Sequence, residues 1–159
     1  MGDIERLLNK IVELKKGIDA IFVSELGRGL LLECSSTKQG RESQLIQKLM
    51  GADGSGGPAF AEIGVFGALQ RGMDAFGKET GHGNLKFTVL QFGEMGNDET
   101  KGTVVVYTYH LEDMSLIIGF VNTRRDEDKF ANLVFRCEQY VNDVWKLVEK
   151  EYKKSYKED

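Results

Sequence analysis

The chain has 159 residues, 41% apolar and 29% charged, with a formal net charge of −4. That length suits one domain burying roughly two-thirds of its unfolded surface, and 1–159 is read as that domain. Lys and Arg are interspersed among Asp and Glu, against the basic stripe of a nucleic-acid-binding face, and no apolar run reaches the ~18 residues that would insert in a membrane.

The first residues, MGDIERLLNK, are amphipathic and acidic from Asp3 onward, without the basic start and apolar block of a secretory signal. Arg6 stands where a myristoylation pattern needs Ser or Thr. A cytoplasmic protein is expected, its two cysteines, Cys34 and Cys137, as free thiols.

Asp3 is expected to cap a first helix to about Lys16, with the stripe Ile4, Leu7, Leu8, Ile11 and Val12 and a stop at Gly17. Ile18 to Glu25 reads as a strand, and the turn Leu26 to Gly29 leads to a second strand, Leu30 to Ser36. Thr37 to Pro58 forms an extended connection. It holds a candidate short helix, Arg41 to Met50, and the linker-like run Gly51 to Gly57.

Pro58 opens a central helix running to Thr80, proline being tolerated in a first turn. Ile63, Phe66, Leu69, Met73 and Phe76 make a bulky apolar face, expected to pack inside the domain. Ala61, Gly64, Ala68, Gly72 and Ala75 make a small, smooth one. Glycine inside a helix costs about 1 kcal/mol relative to alanine. The row Gly64, Gly67, Gly72 therefore suggests close backbone approach, to a sheet or a second copy of the helix; the alternative is a glycine-tolerant helix packed only within its own domain.

Gly81-His82-Gly83 breaks this helix. A third strand, Asn84 to Phe92, precedes an acidic loop, Gly93 to Gly102. Two further strands follow, Thr103 to Tyr109 and Met114 to Val121. Asp126 is placed as the cap of a last helix. Phe130, Leu133, Val134, Cys137, Val141, Val144, Trp145, Val148 and Tyr152 fall in a stripe about 120° wide. The polar tail, 153–159, is expected to fray. Continuous apolar runs place IFV, LIIGFV and most of TVVVYTY inside the sheet; polar interruptions put Leu30–Ser36 and Asn84–Phe92 nearer its edges.

The order is α-β-β-α-β-β-β-α, in the α/β (α+β) class. The expected architecture is three-layered: a five-stranded, mainly antiparallel sheet with one helix on one face and two on the other.

No catalytic set stands out. There is no GxxxxGK[ST] phosphate loop, and GADGSGG, which follows no strand and holds no lysine, reads as linker. His82 and His110 are read as surface-turn residues without metal-ligand spacing. Cys137 is read as a small buried hydrophobe. No cofactor, metal or catalytic residue is assigned. Phe135 lies about 140° round from Phe130, on the polar side of the last helix. It is expected to pack under the first helix or under Arg41–Met50, with a partner anchor as the other reading. Arg28, Arg71, Arg124 and Arg125 are the arginines available as charge-stabilising fingers, but adjacent loop arginines are ordinarily solvated.

The residues GIDAIFVSE, GLLLECSS and FAEIGVFGALQRGMDAF, with three strands and a closing helix after them, resemble the Roadblock/LC7 family of the profilin-like and longin-like sheets, over about Asp3 to Val148. The resemblance implies a non-enzymatic homodimer, or a pair with a related Roadblock subunit. Third strands pair across a two-fold axis and central helices lie side by side. It further implies a regulator or scaffold of a small Ras-like GTPase, an activator in some members. The implied dimer and partner residues are Ala61, Gly64, Ala68, Gly72 and Ala75 on the helix and Phe87 and Val89 on the strand. Two departures are the long Thr37–Pro58 connection and the longer closing helix. The alternatives are a longin- or profilin-like trafficking, motor or cytoskeletal adaptor, and a small-molecule sensor using Gly51–Gly57.

Overall fold

Five strands in one sheet set the frame of the molecule. The computed structural model describes residues 2–14, 17–26, 30–38, 47, 60–93, 100–122 and 130–158. The elements are α1 (Asp3–Glu13), β1 (Ala20–Glu25), β2 (Leu30–Ser36), α2 (Phe60–Glu79), β3 (Phe87–Gly93), β4 (Thr100–Leu111), β5 (Met114–Asn122) and α3 (Phe130–Glu158). The order matches the sequence reading. The candidate helix Arg41–Met50, the run Gly51–Gly57 and the cap at Asp126 lie outside the described residues. Helix α3 continues to Glu158, through most of the tail left to fray.

The strands form one sheet in the order β2-β1-β5-β4-β3, every neighbouring pair antiparallel. Strand β1 is buried throughout, as is β5 from Leu116 onward, which is why they read as unbroken apolar runs. The polar-interrupted strands β2 and β3 take the two edges. Register Leu111↔Met114 leaves Glu112-Asp113 as a two-residue hairpin loop, with Glu112 at φ 57°, the left-handed geometry such loops require.

One core lies between the sheet and the pair α1 and α3. It joins Ile4, Leu8, Ile11 and Val12 with Leu133, Cys137, Val141, Val144 and Val148, over Ile21, Val23, Val105, Leu116, Ile118 and Phe120. The other lies under α2 alone, where Phe66 meets Phe22, Val104, Val106, Ile117 and Val121. Among the described residues, α2 is the one helix on that side.

Helix α1 begins differently from expectation. Its N-cap is Gly2, with no side-chain cap hydrogen bond. Asp3 falls instead in the first turn, where a carboxylate suits the positive end of the helix dipole, and pairs with exposed Arg6 at 3.7 Å. Gly17, at φ 84°, turns the chain toward β1.

Under α2 the packing turns on one pair. Phe22 lies opposite Gly119 across β1 and β5, and a Cβ at 119 would stand 2.1 Å from the Phe22 ring. The glycine makes the room that the ring fills, and the ring goes on to meet Phe66 at 5.8 Å. Overpacking of this kind costs about 1–3 kcal/mol. Gly119→Ala is expected to lower stability to urea by at least that much, and Phe22→Leu in the same chain to restore part of it.

Candidate functional site

The roll of α2 against the sheet decides what the molecule shows to a partner. Phe66, Gln70 and Asp74 recur at steps of four and make the face turned to the sheet. Gln70 is 1% exposed. Its Nε2 donates to Thr108 Oγ1 at 2.6 Å, and its Oε1 accepts from Thr88 Oγ1 at 2.7 Å. Asp74 is buried; its carboxylate accepts from the Leu85 backbone N–H at 2.8 Å and meets Lys78 Nζ at 2.9 Å. The Lys78 hydrogen bond first, then the Leu85 N–H, hold this carboxyl below its ordinary pKa against the opposing effect of burial.

These bonds turn the expected bulky face partly outward. Phe66 is buried, but Met73 is 42% and Phe76 59% exposed. The expectation that all five bulky residues pack inside is therefore corrected: two buried polar side chains, Gln70 bonded to β3 and β4 and Asp74 to the link before β3, occupy the stripe expected of Met73 and Phe76. Leu69 is half-buried, and Ala68, Gly72 and Ala75 are exposed. A Cβ on Gly72 would meet nothing within 4 Å, whereas one on Gly67 would touch Leu26 at 3.4 Å. The outward side of α2 thus carries small residues and large apolar ones together. The side chains of Ala61 and Gly64 lie outside the described residues.

Strand β3 borders this surface as an edge strand of the sheet. Its alternation divides its residues. Leu90 joins the α2-side core, and Phe92, on the same face by alternation, is 47% exposed. Val89 packs against the α1/α3-side core, and Phe87, 36% exposed, stacks on Tyr107 at 5.4 Å. Phe87 and Val89 therefore share an edge with α2 but lie on the opposite face of the sheet. The exposure of Phe92, Met73 and Phe76 is what the helical and strand periodicities alone did not single out.

The link from α2 to β3 is held by glycine. A Cβ at Gly77 would stand 2.5 Å from the Gly83 carbonyl oxygen. The Gly77 carbonyl accepts from the His82 and Gly83 N–H groups, while Gly81 and Gly83 take positive φ. His82 is exposed, its Nδ1 2.8 Å from Thr80 Oγ1. It lines a cavity of about 400 Å³ with Met73 and Phe76. A second cavity, about 910 Å³, opens between this link, β4 and α3; His82, Lys86, His110 and Glu138 are in its wall.

Among solved structures, a Myxococcus xanthus MglB matches 97% of this chain and 98% of its own, with TM-score 0.60 at 7% identity. The gliding protein MglB from Thermus thermophilus matches 94% of each chain, with TM-score 0.64 at 10% identity. An MglB with a tetrameric arrangement also reaches TM-score 0.64 at 10% identity, covering 94% of this chain and 93% of its own. The chain has the MglB fold. The Roadblock/LC7 resemblance read from the sequence is borne out as a fold. No family model and no curated protein matches the chain by sequence.

On this MglB fold the remaining singled-out residues scatter. Phe135 is 64% exposed on α3, so packing under α1 is not its role. Arg71 is exposed on α2; Arg28, Arg124 and Arg125 lie outside the described residues. Burial pushes the Cys137 thiol up to about 12, and burial with the Glu33 charge pushes Cys34 up to about 11. Neither supplies a thiolate at neutral pH. Among the described residues no group of three His, Cys, Asp or Glu is placed to hold a metal ion, and no helix is long and apolar enough to cross a membrane.

Two outcomes follow from the seating of α2. Gln70→Met strands two threonine hydroxyls and is expected to cost about 1–3 kcal/mol in urea titration, much of it recovered when Thr88→Val and Thr108→Val are added. Asp74, lowered in the fold, adds stability above the unfolded carboxylate value of about 3.9, and that stability is lost as pH falls through the lower folded value. Asp74→Asn keeps an acceptor for the Leu85 N–H but does not titrate. The stability difference between wild type and variant is expected to be constant above about pH 5 and to shrink below about pH 4.

Proposed function

We propose that this chain is a dimeric, non-enzymatic interaction module that regulates or scaffolds a small Ras-like GTPase in the cytoplasm. The observation that carries this reading is the outward side of α2, where exposed Met73 and Phe76 adjoin open Gly72. An apolar surface of this kind marks an interface more often than a free face. Gly72 adds to it, because its cost of about 1 kcal/mol in a helix has no neighbour within 4 Å among the described residues to explain it.

The second chain in this reading is another copy. Ala61, Gly64, Ala68, Gly72 and Ala75 let two α2 helices approach closely, and the β3 edge pairs with its counterpart, so that Phe87 and Val89 flank the sheet junction. The isologous contact of a two-fold dimer suits a helix and an edge strand that lie side by side. An MglB with a tetrameric arrangement has this fold, which supports self-association. The GTPase partner follows from the Roadblock/LC7 resemblance. It would be held by the rigid two-fold surface, with Phe135 as an outlying anchor, and regulated without covalent chemistry by this chain.

Light scattering during size exclusion is expected to give a dimer at micromolar concentration; a monomer would remove the dimer. Ala68→Leu with Gly72→Leu places two side chains into solvent in the single chain, so the fold is expected to survive while the dimer is lost. A dimer unchanged by both substitutions would move the contact elsewhere. For the partner, GTP turnover and binding in both nucleotide states are measured with a candidate Ras-like GTPase. Faster turnover identifies an activator and nucleotide-independent binding with unchanged turnover a scaffold. No binding to any such GTPase, with binding to coat, motor or actin components, would favour the adaptor reading.

A further inference from the structure

The smaller cavity, about 400 Å³, opens where the end of α2 meets the start of β3, and Met73, Phe76, Gly77, Thr80, Leu85 and Lys86 line it. Met73 and Phe76 are 42% and 59% exposed and give it an apolar wall. A third large apolar side chain is exposed on the same face of the sheet. Phe92, at the far end of β3, is 47% exposed and shares the α2 side with Leu90 by alternation. Ring and cavity do not meet within one chain. The β3–β4 ladder extends back to the Lys86 carbonyl, which accepts from the Thr108 N–H. Along this extended chain Phe92 stands roughly 20 Å from Lys86, at ~3.4 Å per residue.

Between two copies the features are complementary. This step rests on the pairing of β3 edges proposed above. A two-fold axis pairs identical edge strands antiparallel, so the end of one β3 lies beside the start of the other. Pairing centred on Val89 sets Lys86 opposite the partner's Phe92, and pairing centred on Leu90 sets Thr88 there. Thr88 bonds to Gln70 of α2, and Lys86, two residues before it, lies on the same face by alternation. Either register therefore places the partner's ring at the start of β3, on the face where the cavity opens. A register centred between two residues would put the two α2 helices on opposite faces of the joined sheet.

We propose that, in the dimer, the Phe92 ring of each copy fills the cavity beside Met73 and Phe76 of the other. Two such contacts form, one at each end of the paired strands, because an isologous interface repeats every contact. Each buries a ring that the single chain leaves exposed against two apolar side chains that it also leaves exposed. The Lys86 stem lies along the rim with its charge in water. The cavity is thus completed by the partner copy, and the exposure of Met73, Phe76 and Phe92 has one common reason.

Phe92→Ala and Met73→Ala chains, each losing an exposed side chain, test this by mixing. A Phe92→Ala dimer lacks both rings, and a Met73→Ala dimer lacks part of the wall in both cavities. Each is expected to dissociate at least about tenfold more readily than wild type. The mixed dimer keeps one intact contact, the ring of the Met73→Ala chain in the cavity of the Phe92→Ala chain. Native mass spectrometry of the equimolar mixture, near the dissociation constants, is expected to show mixed dimer in clear excess over its statistical share. That excess also shows that both chains fold. Phe92→Leu, which keeps an apolar knob, is expected to restore most of the affinity. Statistical mixing, or a Phe92→Ala dimer as tight as wild type, overturns the proposal and leaves the dimer standing. A monomeric wild type overturns both.

Discussion

Gln70 is held between two strands, its amide donating to Thr108 and accepting from Thr88, and this pair of bonds fixes how α2 is rolled on the sheet. An amide buried without partners would be expelled, and threonine hydroxyls under a helix would be equally costly alone. Together they satisfy one another, and Asp74 one turn on repeats the arrangement with the Leu85 N–H. The roll that suits these polar groups is the roll that leaves Met73 and Phe76 facing out. Packing alone would favour the reverse, since burying two large apolar side chains contributes about 1.5–3 kcal/mol each. The outward apolar surface is therefore a consequence of polar satisfaction underneath it.

The glycines of the central region divide by what surrounds them. Gly119 leaves space for the Phe22 ring, and Gly77 admits the Gly83 carbonyl; both are demanded by the chain's own packing. Gly72 is demanded by nothing within reach among the described residues. That contrast links a local cost in helix propensity to association, and it is the physical argument for a second copy. The β3 edge supplies a complementary feature, a row of backbone groups beside the same helix, which natural sheets ordinarily cover or blunt.

Much of the frame could be read from residue pattern because burial imposes it directly. IFV and LIIGFV are apolar throughout because β1 and β5 lie mid-sheet with helices on both faces. The polar interruptions of β2 and β3 mark edges for the same reason. The stripe of α3 from Leu133 to Val148 is the one that packs, with Cys137 and Val144 fully buried. The roll of α2 was not legible in this way. Helical spacing groups Met73 and Phe76 with Phe66, and hydrophobicity assigns them inward. What overrides it lies 18 residues away at Thr88 and 38 away at Thr108, beyond any local period. Phe87 and Val89 were correctly placed on an edge strand, but strand periodicity does not say which face α2 covers. Phe135 stood out as an aromatic on a polar face, and its exposure resolves that conflict without burying it.

The central claim is that the outward side of α2 and the β3 edge together receive a second copy of the chain. Hydrogen exchange of the β3 amides, followed by mass spectrometry across a range of protein concentrations, tests it most directly. If β3 pairs with its counterpart, amides from Phe87 to Phe92 gain protection as concentration rises, while those of β5, already enclosed by β1 and β4, do not change. Exchange along β3 that stays independent of concentration, through a range in which the chain is shown to self-associate, would contradict the account.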